Sequence, residues 1–374
     1  MQTDFLIVGA GAIGLTSAQA LLQAGYRVTL AERGAVGQEA SWAGGGILSP
    51  LCSWDYKEPV TRLAHRGMDM FAGAAEILHA ATGIDPEYQR SGMLLLPPYQ
   101  EKLATQWCTQ HRIALQIVNL AANPLRGKGW ERGETLANYG NLNSPGEMNS
   151  ALLLPEVAQV RNPRLMQALR ARVEMLGGVI LEQHEVQRFE VAGERVVALQ
   201  TSQGKLVADA YIVAAGAWSK TLLGEYALNM DIRPIRGQIL LFKFDTPPFR
   251  QILLKKDLYL IPRRDGHVLA GSTLEDVGFD KSTTIAARDN LLGRVREIFP
   301  EWQHKPIQHW AGFRPGSPDN IPTIGRHPRL ANLYANSGHF RYGVTMSLAS
   351  AELLLNEIKG EPQPISAEEY RWRP

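Results

Sequence analysis

The chain has 374 residues, with 39 Lys and Arg against 37 Asp and Glu, and a formal net charge of +2. This length exceeds one ordinary core and predicts about two domains, while the balanced charge argues against a protein held to nucleic acid or to a membrane surface by bulk charge. Two cysteines, Cys52 and Cys108, are too few for a disulfide framework or a zinc knuckle, so we expect a reducing compartment, most naturally the cytoplasm.

The N-terminal segment MQTDFLIVGAG has no basic leader, and its apolar run is short. We therefore expect neither a signal peptide nor a membrane span, and no later stretch is apolar for long enough to cross a bilayer. No repeat, low-complexity tract or Gly/Ser linker marks a domain boundary, so the boundaries must follow from motifs.

The first elements are a strand, a glycine turn and a helix. DFLIV is typical of a buried strand, and LTSAQALLQ is helical until Gly25. Between them GAGAIG matches GxGxxG: Gly9 permits the turn, Gly11 lets the backbone approach a pyrophosphate, and Gly14 allows close helix packing. The N–H groups at the start of the helix can then bind phosphates.

The second strand, YRVTLAER, completes a dinucleotide site. Glu32 lies at its end, 18 residues after Gly14, where a carboxylate can accept hydrogen bonds from ribose hydroxyls. NAD and FAD present the same ADP half to such a site. The next segment, EASWAGGGILSP (39–50), has three consecutive glycines where a nicotinamide enzyme would normally continue its strands and helices. This run can bring backbone close to a flat ring, with a flexible loop as the alternative. We expect Cys52 to be a small buried filler.

The middle of the chain mixes helices with short strands. Residues 57–82 predict an amphipathic helix, strands begin near 92–97, and the polar, proline-punctuated stretch that ends near Ser150 reads as the first part of a second domain. Residues 162–186 predict a helix followed by a strand. The strand AYIVAAG then ends at Gly216, either for close approach to the nucleotide or as a plain strand-to-helix turn.

Residues 232–244 and 257–273 return to strands, and the second segment predicts a hairpin around a DG turn. Tyr259 in this hairpin shares a strand face with Ile261, so the pattern allows either a core aromatic or a site residue. Residues 284–299 predict one more amphipathic helix.

The C-terminal part repeats the order strand, glycine turn and helix. In WAGFRPGSPDNIPTIG (310–325) the glycines and prolines around Arg314 predict a stiff turn that can aim its side chain, the alternative being a solvated loop charge. The strand NLYANSG, the segment HFRYG and a helix over Val344–Lys359 follow. The N-terminus of that helix can stabilise a group that becomes negative, such as a reduced flavin.

These motifs in this order resemble the amino-acid oxidase family of FAD enzymes, which includes D-amino-acid oxidase, sarcosine oxidase and glycine oxidase. The resemblance rests on VGAGAIG with Glu32, ASWAGGGILSP, AYIVAAGAWS, FRPGSPDNIPTIGRHP and HFRYG, and it covers essentially the whole chain. Within the family, the motifs are most similar to bacterial glycine oxidases, which supply an imine or glyoxylate equivalent for the thiamine thiazole.

The resemblance implies an α/β, two-domain FAD-dependent oxidoreductase. A discontinuous Rossmann-type FAD domain would comprise 1–88, 151–224 and 310–374, and a substrate domain of 89–150 and 225–309 would be built on a large antiparallel or mixed sheet above the flavin. Some relatives bind flavin covalently through a late cysteine. Because no cysteine follows Cys108, FAD should be non-covalent here.

The resemblance also implies roles for single positions. Arg314 matches the arginine that binds the substrate carboxylate, Tyr259 a tyrosine beside it, and Arg341 a residue near both flavin and substrate. Tyr342 stands where an asparagine is expected, which leaves its side-chain role open. The glycine motif and the resemblance together predict these cofactor-binding residues: Gly9, Gly11, Ala12, Ile13, Gly14, Glu32, Arg33, Ala40, Ser41, Gly45, Gly46, Ile47, Val186, Gly216, His339, Phe340, Arg341, Tyr342, Gly343, Val344 and Thr345.

The function that this predicts is oxidative deamination of glycine and other small amines or amino acids, such as sarcosine and small D-amino acids. The carboxylate would bind the arginine, a hydride would pass from Cα to flavin N5, and oxygen would then yield hydrogen peroxide. No acid–base side chain is needed if the amine binds neutral. No metal-ligand or nucleophilic constellation is visible, and we expect His339 to be structural.

Two alternatives stay open: a D-amino-acid dehydrogenase that passes electrons to a quinone, and a non-catalytic FAD-binding scaffold subunit. The first would need a surface for its acceptor, and no basic amphipathic anchor is visible. The expected partners are a small amino acid and O2, with no nucleic acid and no membrane, and the resemblance suggests a homotetramer. The ranking of substrates is not readable from the residues.

Overall fold

A computed structural model describes residues 3–119 and 150–374. The predicted polar stretch before Ser150 therefore lies, from 120 to 149, outside the described residues. The helices are α1 (Ala12–Gln23), α2 (Ala40–Ala43), α3 (Glu58–Thr82), α4 (Glu101–His111), α5 (Asn162–Met175), α6 (Ser219–Leu223), α7 (Ile285–Ile298) and α8 (Gly343–Lys359).

The strands in the first half of the chain are β1 (Phe5–Val8), β2 (Val28–Ala31), β3 (Ile47–Leu48), β4 (Gln89–Arg90), β5 (Met93–Leu96), β6 (Gln116–Asn119), β7 (Ser150–Leu154), β8 (Ala158–Gln159) and β9 (Val179–Leu181). Those in the second half are β10 (Val186–Ala192), β11 (Arg195–Thr201), β12 (Gly204–Leu206), β13 (Ala210–Val213), β14 (Arg233–Lys243), β15 (Ile252–Lys255), β16 (Leu258–Pro262), β17 (His267–Gly271), β18 (Gln308–Gly316), β19 (Thr323–Arg326) and β20 (Leu333–Ser337).

A six-stranded sheet has the order β19-β20-β13-β1-β2-β9, and all pairs except β19–β20 are parallel. Alternate residues of its buried strands enter two cores. Ile7 packs with α1, α3, α5 and α8, whereas Leu6 packs with the three-stranded sheet β10-β11-β12. Because the chain leaves β1 towards β2 while β13 flanks its other side, a ligand crevice is expected at the carboxyl ends of these strands.

An eight-stranded sheet has the order β18-β14-β17-β16-β15-β5-β7-β6. The sheet is mixed, because β15 and β5 are parallel whereas all other neighbouring strands in it are antiparallel. One face packs on α7 through Leu240, Leu260 and Leu291. The other face carries Ile239, Tyr259 and Ile261 and faces the carboxyl edge of the six-stranded sheet. The predicted α/β fold, with a Rossmann-type sheet and a large mixed sheet, is confirmed.

The two sheets draw on alternating chain segments, as a discontinuous domain requires. The proposed domain limits remain a proposal, and two of them differ from the sheet pairing. The sequence assigns 151–224 and 310–374 to the FAD domain, whereas β7 (Ser150–Leu154) belongs to the eight-stranded sheet and β18 pairs with β14 as far as Gly316.

The predicted turn around Arg314 is wrong, because this segment is part of β18. Proline is tolerated there since β18 is the edge strand of the sheet, where a missing N–H costs little, and Pro315 lies opposite Pro234. The glycine-rich segment is likewise packed against its neighbours. A Cβ atom at Gly45 would lie 2.5 Å from Cδ1 of Ile261.

Candidate active site

A cavity of about 550 Å³ lies between the two sheets. Its walls come from the carboxyl edge of the six-stranded sheet and from the face of the eight-stranded sheet that carries Ile239 and Tyr259. Every residue predicted to bind cofactor or substrate lines this cavity except Gly14. Their roles remain predictions, but the chain brings them to one place.

The glycine turn fixes how α1 meets β1. Gly9 has φ +103°, and a Cβ atom there would lie 2.6 Å from the carbonyl oxygen of Ala214. A Cβ atom at Gly14 would overlap the carbonyl oxygen of Gly9. Gly14 therefore allows the helix to pack on its own turn, which is why it lies behind the cavity wall.

The start of α1 is held by the segment that follows β2. Gly11 precedes the helix without a side-chain cap, and the Ala12 N–H donates to Ser41 Oγ at 2.9 Å. A Cβ atom at Gly11 would lie 2.9 Å from the same oxygen. The helix N-terminus consequently opens into the cavity with a small hydroxyl beside it, as an anion site requires.

Glu32 is oriented by the backbone at the end of β2. Its Oε2 accepts from the Ala10 N–H at 2.8 Å and its Oε1 from the Gly34 N–H at 3.1 Å. This carboxylate thus lies beside the glycine turn and lines the cavity. Its remaining lone pairs are available to hydroxyl groups of a ligand.

Arg33 and Trp218 form the adjoining wall. The Arg33 guanidinium carbon lies 3.5 Å from the centre of the Trp218 ring, and its Nη2 lies 2.6 Å from Oε1 of Glu39. Trp218 also stacks on Phe279, with ring centres 5.1 Å apart. Trp218 and Glu39 were not among the predicted site residues, although both line the cavity.

Arg263 fastens the glycine-rich segment to the eight-stranded sheet. Its guanidinium donates to the Gly45 carbonyl at 2.7 Å, to the Val160 carbonyl at 2.8 Å and to Gln159 Oε1 at 2.8 Å. Burial lowers the pKa of Arg263 to about 10, so it remains a cation at neutral pH. No local pattern in the sequence indicates this role, because the acceptors lie in two segments far from Arg263 along the chain.

Arg314 lies on the cavity side of β18. Among the described residues its hydrogen-bond partners are neutral: the Thr273 carbonyl at 3.2 Å and the Ser272 hydroxyl. Burial lowers its pKa, and the nearby cation Arg341 acts in the same direction. No carboxylate within residues 3–119 and 150–374 forms an ion pair with Arg314. It is a half-buried cation that lacks an anion among the described residues.

Tyr259 lies beside Arg314 and is buried, with 8% of its surface exposed. Its ring packs over Gly271 of the adjacent strand, where a Cβ atom would lie 2.8 Å from its hydroxyl oxygen. The sequence left a core aromatic and a site residue as alternatives. The structure places Tyr259 both in an apolar cluster and on the cavity wall.

Arg341 and Tyr342 precede α8. The Arg341 guanidinium carbon lies 5.5 Å from the centre of the Phe340 ring, and among the described residues no carboxylate pairs with it. Tyr342 is 3% exposed, and its hydroxyl donates to the hydroxyl of Tyr56. Burial raises the pKa of Tyr342 well above its ordinary value, so it is a neutral phenol.

His339 is not poised as a base. Its Nε2 lies 2.8 Å from Ser350 Oγ, and burial lowers its pKa to about 3. Burial likewise raises the pKa of the half-buried Cys52 thiol to about 11, so that thiol is inert. No other acid–base candidate was predicted for the site.

The described part of the chain contains no group of three or more His, Cys, Asp or Glu side chains that could bind a metal ion. It also contains no helix that is long and apolar enough to cross a membrane.

The cavity fits FAD. The glycine turn forms a cradle that side chains would fill, as the contacts at Gly9 and Gly11 show, and the volume is within the range of cofactor sites.

Comparison with known proteins identifies what this chain is similar to. Residues 4–356 match the DAO family, described as FAD dependent oxidoreductase. A glycine oxidase of Pseudomonas aeruginosa is 41% identical over 99% of this chain and 98% of its own length. A bifunctional protein ThiO/ThiG of Trichormus variabilis is 30% identical over 97% of this chain and 54% of its own length.

Among solved structures, a glycine oxidase of Geobacillus kaustophilus superimposes with a TM-score of 0.89 at 24% identity, covering 100% of this chain and 98% of that one. At that identity, the likeness concerns the fold alone.

Proposed function

The chain belongs to the DAO family of FAD-dependent oxidoreductases and is an FAD-dependent amino-acid oxidase; on that premise we propose that it deaminates glycine and other small amines or amino acids, including sarcosine and small D-amino acids. The products are the 2-oxo acid, ammonia or an amine, and hydrogen peroxide formed from oxygen. The identity to glycine oxidases over nearly the full length supports this substrate class.

The observation that carries the proposal is the unpaired charge of Arg314. It is a half-buried cation whose hydrogen-bond partners among the described residues are neutral; desolvation lowers its pKa, and a second cation, Arg341, acts in the same direction. Two cations facing one cavity create a positive potential that an anion would relieve. A guanidinium also matches the geometry of a carboxylate, which binds it through two parallel hydrogen bonds.

Bound FAD supplies the acceptor for the hydride that leaves the substrate's Cα. The chain's own contribution is positional. Arg314 holds the carboxylate, the Tyr259 hydroxyl lies beside it, and the apolar side chains of Leu51 and Ile239 line the same cavity and limit access of water. Fixing the substrate by its carboxylate converts an encounter into an oriented complex, which is a large part of catalysis.

Neither His339 nor Tyr342, the titratable neighbours of Arg341 along the chain, is poised to take the proton of the amine. His339 bonds to Ser350 and its pKa is about 3, while burial keeps Tyr342 neutral. The substrate amine therefore reacts in its neutral form, and the imine that results is hydrolysed by water.

The direct test is turnover of glycine, sarcosine, D-alanine and D-proline by the purified holoenzyme. Peroxide should accumulate under air with at least glycine. The same substrates with a dye acceptor under nitrogen provide the comparison. Turnover with dye but without peroxide in air would favour the quinone-linked dehydrogenase, and no turnover with any of the four would contradict the proposal.

We also propose a role in supplying the thiamine thiazole, which the similarity to a ThiO/ThiG protein supports. A homotetramer, as the family resemblance suggests, can be tested by light scattering. The low cysteine content supports a reducing compartment such as the cytoplasm.

A further inference from the structure

Two glycines, Gly237 and Gly271, leave part of the cavity face of the eight-stranded sheet without side chains, and we call this part the bare patch. Gly237 lies in β14 and Gly271 in the neighbouring β17, where Gly271 pairs with Ile239. Since side chains alternate along a strand, Gly237, Ile239 and Gly271 share the face that lines the cavity. A glycine inside a strand usually weakens it, and often marks a place where another group must approach closely.

At Gly237 the approaching group is the guanidinium of Arg314. A Cβ atom at Gly237 would overlap Cζ and both terminal nitrogens of that side chain. Arg314 comes from β18, the strand beside β14, where it pairs with Ile235. Its guanidinium thus lies down across the neighbouring strand, directly on the backbone of Gly237.

Tyr259 has the same relation to Gly271. Tyr259 comes from β16, which lies beside β17 on the side away from β14, and it pairs with Gly271 of β17. A Cβ atom at Gly271 would lie 2.8 Å from Cε2 and from the hydroxyl oxygen of Tyr259. The two side chains therefore lean towards each other over the bare patch, close enough to interact.

We propose that Gly237 is a positioning residue that sets the affinity of the site for carboxylates, by letting the Arg314 guanidinium lie flat on the sheet; this rests on the proposed function of Arg314. Gly271 does the same for Tyr259. A bidentate pair needs both guanidinium nitrogens at a defined height and tilt. A methyl group at Gly237 would push the Arg314 guanidinium away from the sheet, and the bound carboxylate would be displaced with it.

The structural cost of that methyl group is low, because the atoms that it displaces are the far end of a flexible side chain. Gly237→Ala should therefore fold, bind FAD and yet bind carboxylates poorly. Weaker carboxylate binding with unchanged folding and FAD binding distinguishes a positioning role from a merely structural one.

The experiment titrates glycolate, a short carboxylate without an amine, into the FAD-loaded enzyme and follows the flavin absorbance. It compares wild type, Gly237→Ala, Arg314→Ala, the double variant, and Gly293→Ala, whose added Cβ would meet no atom within 4 Å. The FAD dissociation constant, the Tm and the limiting rate of anaerobic reduction by glycine are measured on each.

We expect Gly237→Ala to weaken glycolate binding by at least about tenfold, with FAD affinity and Tm near wild type and KM for glycine affected more than kcat. In the Arg314→Ala background the same change should alter glycolate binding by less than about twofold, because the group that the methyl displaces is gone. Gly293→Ala should bind glycolate and FAD as wild type does, with a Tm equal to or above that of wild type because alanine favours the helix.

Wild-type glycolate affinity in Gly237→Ala would overturn the inference, as would a parallel loss of FAD binding and Tm, or an equal loss in the Arg314→Ala background. A different result would contradict the proposed function itself. If Arg314→Ala itself binds glycolate and glycine normally, Arg314 is not the carboxylate site, whatever Gly237→Ala does.

Discussion

Arg263, which directly follows β16, and Arg314 on β18 hydrogen-bond only to neutral groups among the described residues. Arg263 is buried, donates to three acceptors and does not line the cavity, whereas Arg314 is half-buried and lines it. A guanidinium has five N–H donors in a rigid fork. Arg263 therefore serves the architecture of the site, and Arg314 retains donors for a ligand.

Replacing Arg263 by Met should destabilise the holoenzyme by about 2–4 kcal/mol, because three buried acceptors lose their donors. FAD should also bind more weakly, since the Gly45 carbonyl is one of those acceptors. Denaturant unfolding and FAD titration measure both effects. The adjacent Arg264, which is largely exposed and pairs with Asp85, provides the control: Arg264→Met should change stability by less than about 1 kcal/mol. Equal losses in both variants would contradict the assignment.

The pH dependence of flavin reduction should follow the pKa of the substrate amine and not the pKa of an enzyme side chain. Because neither His339 nor Tyr342 is poised as a base, the reduction rate at low substrate concentration should rise with pH until the substrate's own amine is deprotonated. Stopped-flow reduction by two substrates with different amine pKa values tests this. The inflection should move with the substrate amine. An inflection that stays at the same pH for both would reveal an enzyme group that this account lacks.

At the scale of elements, the hairpin of β16 and β17 shows what the sequence could predict. The DG turn and the alternation of LYLIP and HVLAG predicted a hairpin, and Tyr259 does pair with Gly271. The same reasoning could not find Arg263 or Gly237, because their roles depend on side chains from other segments. The error at Arg314 has a related cause: glycine and proline indicate turns unless an edge strand accommodates them, and sheet order is not a local property.

The turn of that hairpin should make stability fall in acid. Burial would raise the pKa of Asp265, but hydrogen bonds from His267 and Arg161 outweigh it, and the net pKa lies below its ordinary value. Since the folded pKa is lower than the unfolded one, the stabilisation is present above the unfolded pKa and is lost as pH falls, from about pH 5 downwards. Asp265→Asn should flatten the acid slope of the unfolding free energy.

Denaturant unfolding of the holoenzyme at a series of pH values measures that slope. The exposed Asp245 provides the control, and Asp245→Asn should leave the slope unchanged. If Asp265→Asn follows the wild-type curve throughout, the ion pairs at the turn do not contribute to folding.

At the scale of the whole molecule, the nucleotide half of the site was more predictable than the substrate half. GxGxxG and Glu32 lie within one strand–helix–strand unit, so local spacing carries the information. The substrate half depends on an eight-stranded sheet in which β5 pairs with β15 across a long stretch of chain. Such non-local pairing cannot be recognised in the pattern of a single sequence. The residues of the substrate half were therefore predicted from the family resemblance.

Arg314 lines the cavity that we assign to FAD and has no carboxylate partner among the described residues, so the most direct test of its proposed role follows the flavin itself. Wild-type holoenzyme and Arg314→Ala are mixed anaerobically with glycine while the flavin absorbance is followed. We predict rapid bleaching in wild type and, at the same glycine concentrations, slowing by at least about a hundredfold in Arg314→Ala with FAD still bound. Bleaching of Arg314→Ala at the wild-type rate and glycine dependence would contradict it.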